Sequence, residues 1–287
     1  MRAQDGPKAP TYTNVTDNGK TALASDKSTF APGLRLLPQD IRADIHRLYQ
    51  VLRTLDDLVD DDQPEAPERV EAVERWARNE PAGTDETRIL TELSQRHVLP
   101  RQAFLDFCRG MRHDIARAVI HTEEDLELYC QRAGGSVGIM LARVLGSARP
   151  EAETKMATLG RAMQRTNILR DIDEDAAHGR VYISRSTIER FGAPTPGARA
   201  ELLQDQIVRA DCLYEQSADA TSLLASGQRG MALCTTLYRE ILRQIERDGY
   251  GRTPGRTVVP AWRRHLLIAE YRLRLRGRQA KLAPARP

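Results

Sequence analysis

The sequence predicts an all-α protein of one domain. Apolar residues recur at spacings of three and four in nearly every segment, as in Ile41, Ile45, Leu48, Leu52 and Leu55, which sets them on one face of a helix. Long stretches rich in Ala, Leu, Arg and Glu favour helix as well. No run alternates with a period of two, and no Asn-Gly turn joins two strand-like runs.

The elements follow in order. Pro38 opens the first strong helix, with Gln39 and Asp40 in its first turn, where an acid is favoured. The Pro64–Pro67 stretch ends that helix. Pro81-Ala-Gly83, Arg149-Pro150 and Gly192–Gly197 are further breaks. The last clear helix reaches about Gly249 and is followed by a Gly/Pro loop, Gly251–Gly255. No repeat of solenoid length and no long linker divides the chain. The expected organisation is a polar, disordered lead-in over 1–27, a helical domain over 28–272 and a basic flexible tail over 273–287.

With 287 residues, 40% of them hydrophobic and 29% charged, the chain can bury a sizeable core. A net charge of +3 implies no strong field for nucleic acid. No apolar run approaches bilayer length, and Met1–Ser28 has no signal-peptide core, so a cytoplasmic location is expected. The four cysteines form no Cys-x-x-Cys pair and the six histidines are scattered, which argues for reduced thiols and against zinc. No glycine-rich dinucleotide fingerprint is present.

Two acidic clusters carry the chemistry. The first, Asp56-Asp57-Leu58-Val59-Asp60-Asp61-Asp62, ends an amphipathic helix. Asp56 and Asp60 are one turn apart and share a face. Such pairs repel, and a helix C-terminus disfavours anions, so this placement calls for a cation. In the second, Asn167-Ile-Leu-Arg170-Asp171-Ile-Asp173-Glu174-Asp175, Asp171 and Asp175 share a face with Asn167 one turn earlier. Glu174 can reach the same side. Oxygen ligands of this kind suit Mg²⁺ or Mn²⁺. Two such clusters across a cavity would clamp a diphosphate through metal ions. A single acidic run is ordinarily a solvated helix end; it is the repetition of one pairing that points to a site.

The chain resembles the squalene/phytoene synthase family, a head-to-head branch of the trans-isoprenyl diphosphate synthases. The residues that carry the resemblance are Tyr49-x-x-x-Arg53-x-x-Asp56-Asp57-x-x-Asp60-Asp61, Tyr129-Cys130-x-x-Ala133-Gly134-x-Ser136-Val137-Gly138, and Gln164-x-x-Asn167-Ile-Leu-Arg170-Asp171-x-x-Glu174-Asp175, followed by Gly179-Arg180-Val181-Tyr182. Gly110-Met111-x-x-Asp114 and Ile245-Glu246-x-x-Gly249-Tyr250 are weaker matches. The resemblance implies an isoprenoid-synthase-type bundle around a central cavity. It also implies a magnesium-dependent prenyltransferase, a transferase of alkyl groups other than methyl. Such an enzyme condenses two C15 or C20 allylic diphosphates head-to-head, with loss of diphosphate. By the same resemblance Asp56, Asp60, Asp171 and Asp175 carry the metals with Asn167. Arg53, Arg170, Arg180, Gln164 and Thr29 bind diphosphate, and Tyr129 and Tyr182 steer the diphosphate or the cation.

Some features depart from the family pattern. At the start, Asp26, Ala31 and Pro32 stand where the family differs, and Ser184 replaces its usual proline. Only 5% of residues are aromatic. The pocket is therefore expected to suit a shorter chain or another acceptor, or to be walled with Leu, Ile, Val and Met. The alternative function keeps the ionising machinery but prenylates a small aromatic acceptor or cyclises one diphosphate. Gly134, Gly135, Ser136 and Gly138 are expected to leave room beside the reacting carbon, with Ile139, Met140, Leu141 and Val144 setting the depth of the cavity; close helix packing is the competing use of those small residues. The basic tail Arg272-Leu-Arg274-Leu-Arg276-Gly-Arg278 fits a weak contact with an anionic membrane surface, with a solvated, frayed tail as the other reading.

Overall fold

A computed structural model describes residues 29–147 and 149–282, with side chains to 274. The lead-in expected over 1–27 lies outside the described residues. The helices are α1 (Ala31–Leu34), α2 (Gln39–Asp60), α3 (Ala66–Ala77), α4 (Asp85–Ser94), α5 (Arg101–Ile115), α6 (Glu123–Cys130), α7 (Ser136–Leu145), α8 (Ala152–Ala177), α9 (Arg185–Phe191), α10 (Ala200–Gln216), α11 (Gln228–Arg247) and α12 (Ala261–Leu282). No strand forms among the described residues; Ser147 and Leu224 make one isolated antiparallel bridge.

The middle of the bundle is α8. Met156, Ala157, Thr158 and Leu159 are consecutive and all buried, so this helix is covered all round. It packs on α6, α7, α10 and α11. The apolar face of α2 is the expected one: Ile45, Leu48, Leu52 and Leu55 are buried together with Val51 and Val59. Local chemistry sets the other boundaries. The Thr84 and Thr122 hydroxyls cap α4 and α6. The hydroxyl of Ser184, where the family has proline, accepts from the Thr187 N–H at 3.2 Å and starts α9.

Three features went beyond the sequence reading. Residues Gln131–Gly135 form a π-helical turn between α6 and α7. There an added Cβ on Gly134 would lie 2.4 Å from the Gly160 carbonyl oxygen, and one on Gly138 would lie 2.1 Å from the Met156 carbonyl oxygen. These two glycines therefore let the π turn and α7 press backbone to backbone on α8, the competing use expected of them, while both also line a small apolar cavity. Finally, α12 carries helical backbone from Ala261 to Leu282, across a stretch where a frayed tail is expected.

Candidate active site

A run of three adjoining cavities that share lining residues lies between α2, α5, α8 and α11. Its mouth, about 330 Å³, is lined by Asp56, Asp60 and Asp61 from α2 and its end, and by Asn167, Arg170, Asp171, Glu174 and Asp175 from α8. Arg53, Gln164, Tyr129, Arg180 and Tyr182 face the same space. A middle chamber of about 430 Å³ shares Arg53, Asp56, Gln164, Asn167 and Arg170 with the mouth and adds Thr29, Phe30, Tyr49, Phe107 and Tyr238. An apolar end of about 120 Å³ is lined by Val137, Leu141, Met156, Leu159, Met163 and Met231 among others. The lining thus passes from acids to hydrocarbon. Every candidate residue from the sequence lies on its mouth or middle chamber, Thr29 in the middle chamber alone.

Asp56, Asp60 and Asp171 are already matched with arginines. The Arg53 guanidinium reaches Asp56 at 2.9 Å and Asp57 at 2.5 Å. Arg180 bonds Asp60, and its other nitrogen donates to the Val59 carbonyl at 2.6 Å. Arg170 grips Asp171 in bidentate fashion, with Nε to Oδ1 at 2.8 Å. These are the charge-assisted bonds that phosphate oxygens accept equally well.

Repulsion remains. Burial first, and then the Asp60 charge, push the Asp56 carboxyl up to about 7. Burial, then Asp171 and Asp60, do the same to Asp175, again to about 7. Burial raises Asp60 above the usual carboxylate range despite Arg180. Asp62 stands apart. Its backbone turns out of the helix with φ +51°, and its carboxylate pairs with Arg117 at 2.6 Å. Asp173 also points elsewhere, held by Arg199 at 2.6 and 2.7 Å and by the Gly255 N–H at 2.7 Å.

The residues fit a divalent metal bound together with a diphosphate. The Asn167 Oδ1 is buried and has no hydrogen-bond partner, a costly state for a polar atom unless a ligand completes it. Among the described residues no three carboxylates converge into a ready-made cage. Mg²⁺ takes one or two carboxylates and fills its shell with water and phosphate oxygens, so it needs no such cage.

The wall beside the mouth holds a compact polar group. The Tyr129 hydroxyl donates to Asp114 Oδ2 at 3.0 Å and the Tyr182 hydroxyl to Oδ1 at 2.9 Å. The two rings stack at 4.9 Å. Burial pushes Asp114 up to about 7, against the lowering effect of the two hydroxyls and of Arg180. Burial also raises both phenols, so both keep their protons.

Over residues 23–263 the chain matches the squalene/phytoene synthase family. It belongs to that family. A phytoene synthase of Thermus thermophilus is 34% identical over 259 residues, which cover 86% of this chain and 88% of that one. A presqualene diphosphate synthase of Zymomonas mobilis is 34% identical over 187 residues, 62% and 64% of the two chains. The crystal structure of a dehydrosqualene synthase in complex with ligand superposes with a TM-score of 0.78 at 26% identity, covering 89% of this chain and 94% of that one.

For a squalene/phytoene synthase, this cavity also shows what sequence reasoning missed. Arg256, from the loop after α11, lies 3.3 Å from Asp171 and 3.0 Å from Glu174 and lines the mouth. Its isolation from any motif left no signal. Asp114 was visible only as a weak motif match. The low aromatic content pointed to walls of Leu, Ile, Val and Met, which the apolar end has, but not to the gathering of Phe30, Tyr49, Phe107 and Tyr238 in the middle chamber. Of the residues expected to set the depth, Leu141 lines the apolar end, whereas Met140 and Val144 are buried on other faces of α7 at 0% and 2% exposure.

Proposed function

We propose that the chain condenses two molecules of geranylgeranyl diphosphate head-to-head, with Mg²⁺ or Mn²⁺ held between the two acidic motifs. The chain is a prenyltransferase of the squalene/phytoene synthase type. The preference for the longer substrate rests on the phytoene synthase relative, which matches over most of both chains. The observation that carries the site assignment is the run of adjoining cavities whose acidic, arginine-laced mouth leads to aromatic and then aliphatic walls.

The divalent ion, when bound, neutralises the diphosphate and makes it a better leaving group. Asp56 and Asp60 on one side, and Asp171, Asp175 and the Asn167 Oδ1 on the other, are the oxygens that would hold it. Arg53, Arg170, Arg180 and Arg256 then exchange carboxylate partners for diphosphate oxygens, stabilising the charge that develops as the donor C–O bond breaks. Gln164 and Thr29 flank that path as polar contacts. The allylic cation is left among Phe30, Tyr49 and Tyr238, whose ring faces attract it. The alkene of the second chain attacks it; ring closure to a cyclopropyl diphosphate releases one proton. Tyr129 and Tyr182, with their protons turned toward Asp114, present hydroxyl oxygen lone pairs to the cavity, which favours positive charge there.

Incubating the protein with geranylgeranyl diphosphate or with farnesyl diphosphate, with Mg²⁺, and weighing the product tests this reading. A dimeric hydrocarbon or cyclopropyl diphosphate from the longer substrate is expected. A dimer from farnesyl diphosphate alone would move the assignment to the shorter chain. A monomeric cyclised product would favour the single-substrate alternative.

A further inference from the structure

Helix α12 has two apolar faces, and only one is used. Leu267, Ile268 and Tyr271 turn toward the bundle and are half-buried, the Tyr271 hydroxyl donating to the Arg229 carbonyl at 2.8 Å. On the opposite side, Trp262, Leu266, Ala269 and Leu273 fall within about 60° of arc at about 100° per residue. Their large members are open to solvent: Trp262 is 67% exposed, Leu266 40% and Leu273 64%. Val258, just before the helix, is also open to solvent at 65% exposure. A soluble helix ordinarily leaves its outer face polar, and a contiguous exposed apolar stripe marks a contact surface.

The flanks say what kind. His265 and Arg272 border one edge of the stripe, and Glu270 and Arg274 the other. The sequence continues with Arg276, Arg278 and Lys281 against no further acid. Exposed tryptophan and leucine between arginines is the pattern of a helix lying in the lipid headgroup region. No described helix is long and apolar enough to cross a bilayer, so the contact is at the surface. A second copy of this chain would bring two arginine-rich edges together and repel.

We propose that α12 docks this protein on an anionic lipid surface, with Trp262, Leu266 and Leu273 sunk among the acyl chains and Arg272 and Arg274 paired with headgroup phosphates. The inference stands on this surface; the proposed reaction supplies its use, since the product is a hydrocarbon-like chain that water will not carry.

The test is flotation of the full chain with phosphatidylcholine vesicles, with and without phosphatidylglycerol, alongside tryptophan emission. The chain has two tryptophans. Trp76 is 6% exposed, so a blue shift on vesicle addition reports Trp262. Wild-type protein should float with the phosphatidylglycerol vesicles, shift to the blue and be released by salt. The double variant Trp262→Ser, Leu266→Ser should bind at least tenfold more weakly with an unchanged melting temperature, because both side chains are already in water. A second pair, Arg272→Gln and Arg274→Gln, should lose the preference for the anionic lipid. Wild-type protein that stays in the aqueous phase would overturn the proposal, as would a serine variant that floats like wild type. So would a stripe whose loss only dissolves a dimer seen by sedimentation velocity. Because flotation needs no turnover, a chain that binds vesicles but forms no dimeric prenyl product would sink the proposed reaction and leave this inference standing.

Discussion

Gly138 offers a direct measurement of how tightly α7 is pressed onto α8. In Gly138→Ala the new methyl carbon would sit 2.1 Å from the Met156 carbonyl oxygen, 2.7 Å from its carbon and 3.2 Å from the Ala157 nitrogen. All three are backbone atoms of a buried helix, so no side chain can swing aside. Relief requires the helices to part by roughly 1 Å, and overpacking of this kind costs up to about 3 kcal/mol. Alanine returns about 1 kcal/mol through its helix propensity, which leaves a net loss of about 2 kcal/mol. In a chain this size that lowers the melting temperature by about 4–8 °C. The control is Gly110→Ala, where the nearest atom, the Ala133 nitrogen, is at an ordinary 3.4 Å and the propensity gain should make the variant neutral or slightly stabilised. Thermal melts followed by circular dichroism would compare the two. Chain-length selectivity is then measured on Leu141→Phe, because Leu141, partly exposed, lines the apolar end. That variant should accept shorter donors while melting near wild type. If Gly138→Ala melts at or above wild type, the packing argument fails; if Leu141→Phe leaves selectivity unchanged, the substrate lies elsewhere.

Three further outcomes are expected. Asp60→Asn and Asp171→Asn should abolish diphosphate release with the fold retained, whereas Asp62→Asn, which loses an exposed pair with Arg117 at 2.6 Å worth about 1 kcal/mol or less and a longer contact with Arg180 at 3.9 Å, should keep most activity; equal damage from Asp62→Asn would show the face assignment to be wrong. Excess chelator should stop turnover, and restored Mg²⁺ should return it; unchanged turnover would exclude the metal. Asp56, Asp114 and Asp175 are each pushed up to about 7 in the fold, above the roughly 4 of an unfolded carboxyl. The folded chain therefore holds more protons across that window, and the metal-free protein should lose stability as pH rises from about 4 to about 7. Melting temperatures that rise over that range, without metal, would contradict the electrostatics.

What the sequence revealed and what it hid follow from range. Helical periodicity and i, i+4 acid pairing are local, and so α2, α8 and both acidic motifs were legible. The orientation of Asp173 was not: it sits inside the second motif, yet Arg199 and Gly255 from distant segments turn it away from the cavity. Arg256 reaches Asp171 and Glu174 across 82 or more positions of chain, which no spacing rule anticipates. Composition averages over the chain, so it matched the aliphatic walls of the apolar end and could not show four aromatics gathered into one chamber. The glycines of the central stretch were recognised as unusual, but whether they face a ligand or a neighbouring helix depends on where α8 lies.

The strap after α11 has its own consequence. The Gly251 carbonyl accepts from Arg199 Nε at 3.1 Å, the Gly255 N–H donates to Asp173 at 2.7 Å, and the Thr257 N–H donates to the Arg170 carbonyl at 3.2 Å. Arg199 itself is 1% exposed. The segment carrying Arg256 is therefore pegged on both sides of that residue to the rear of the second acidic motif. The conformational freedom that a long cation would surrender on meeting its anion is partly removed when the chain folds. This part of the mouth is a tethered rim rather than a flap, and in the proposed reaction it would carry its cation to the same side of the second acidic motif for each incoming diphosphate.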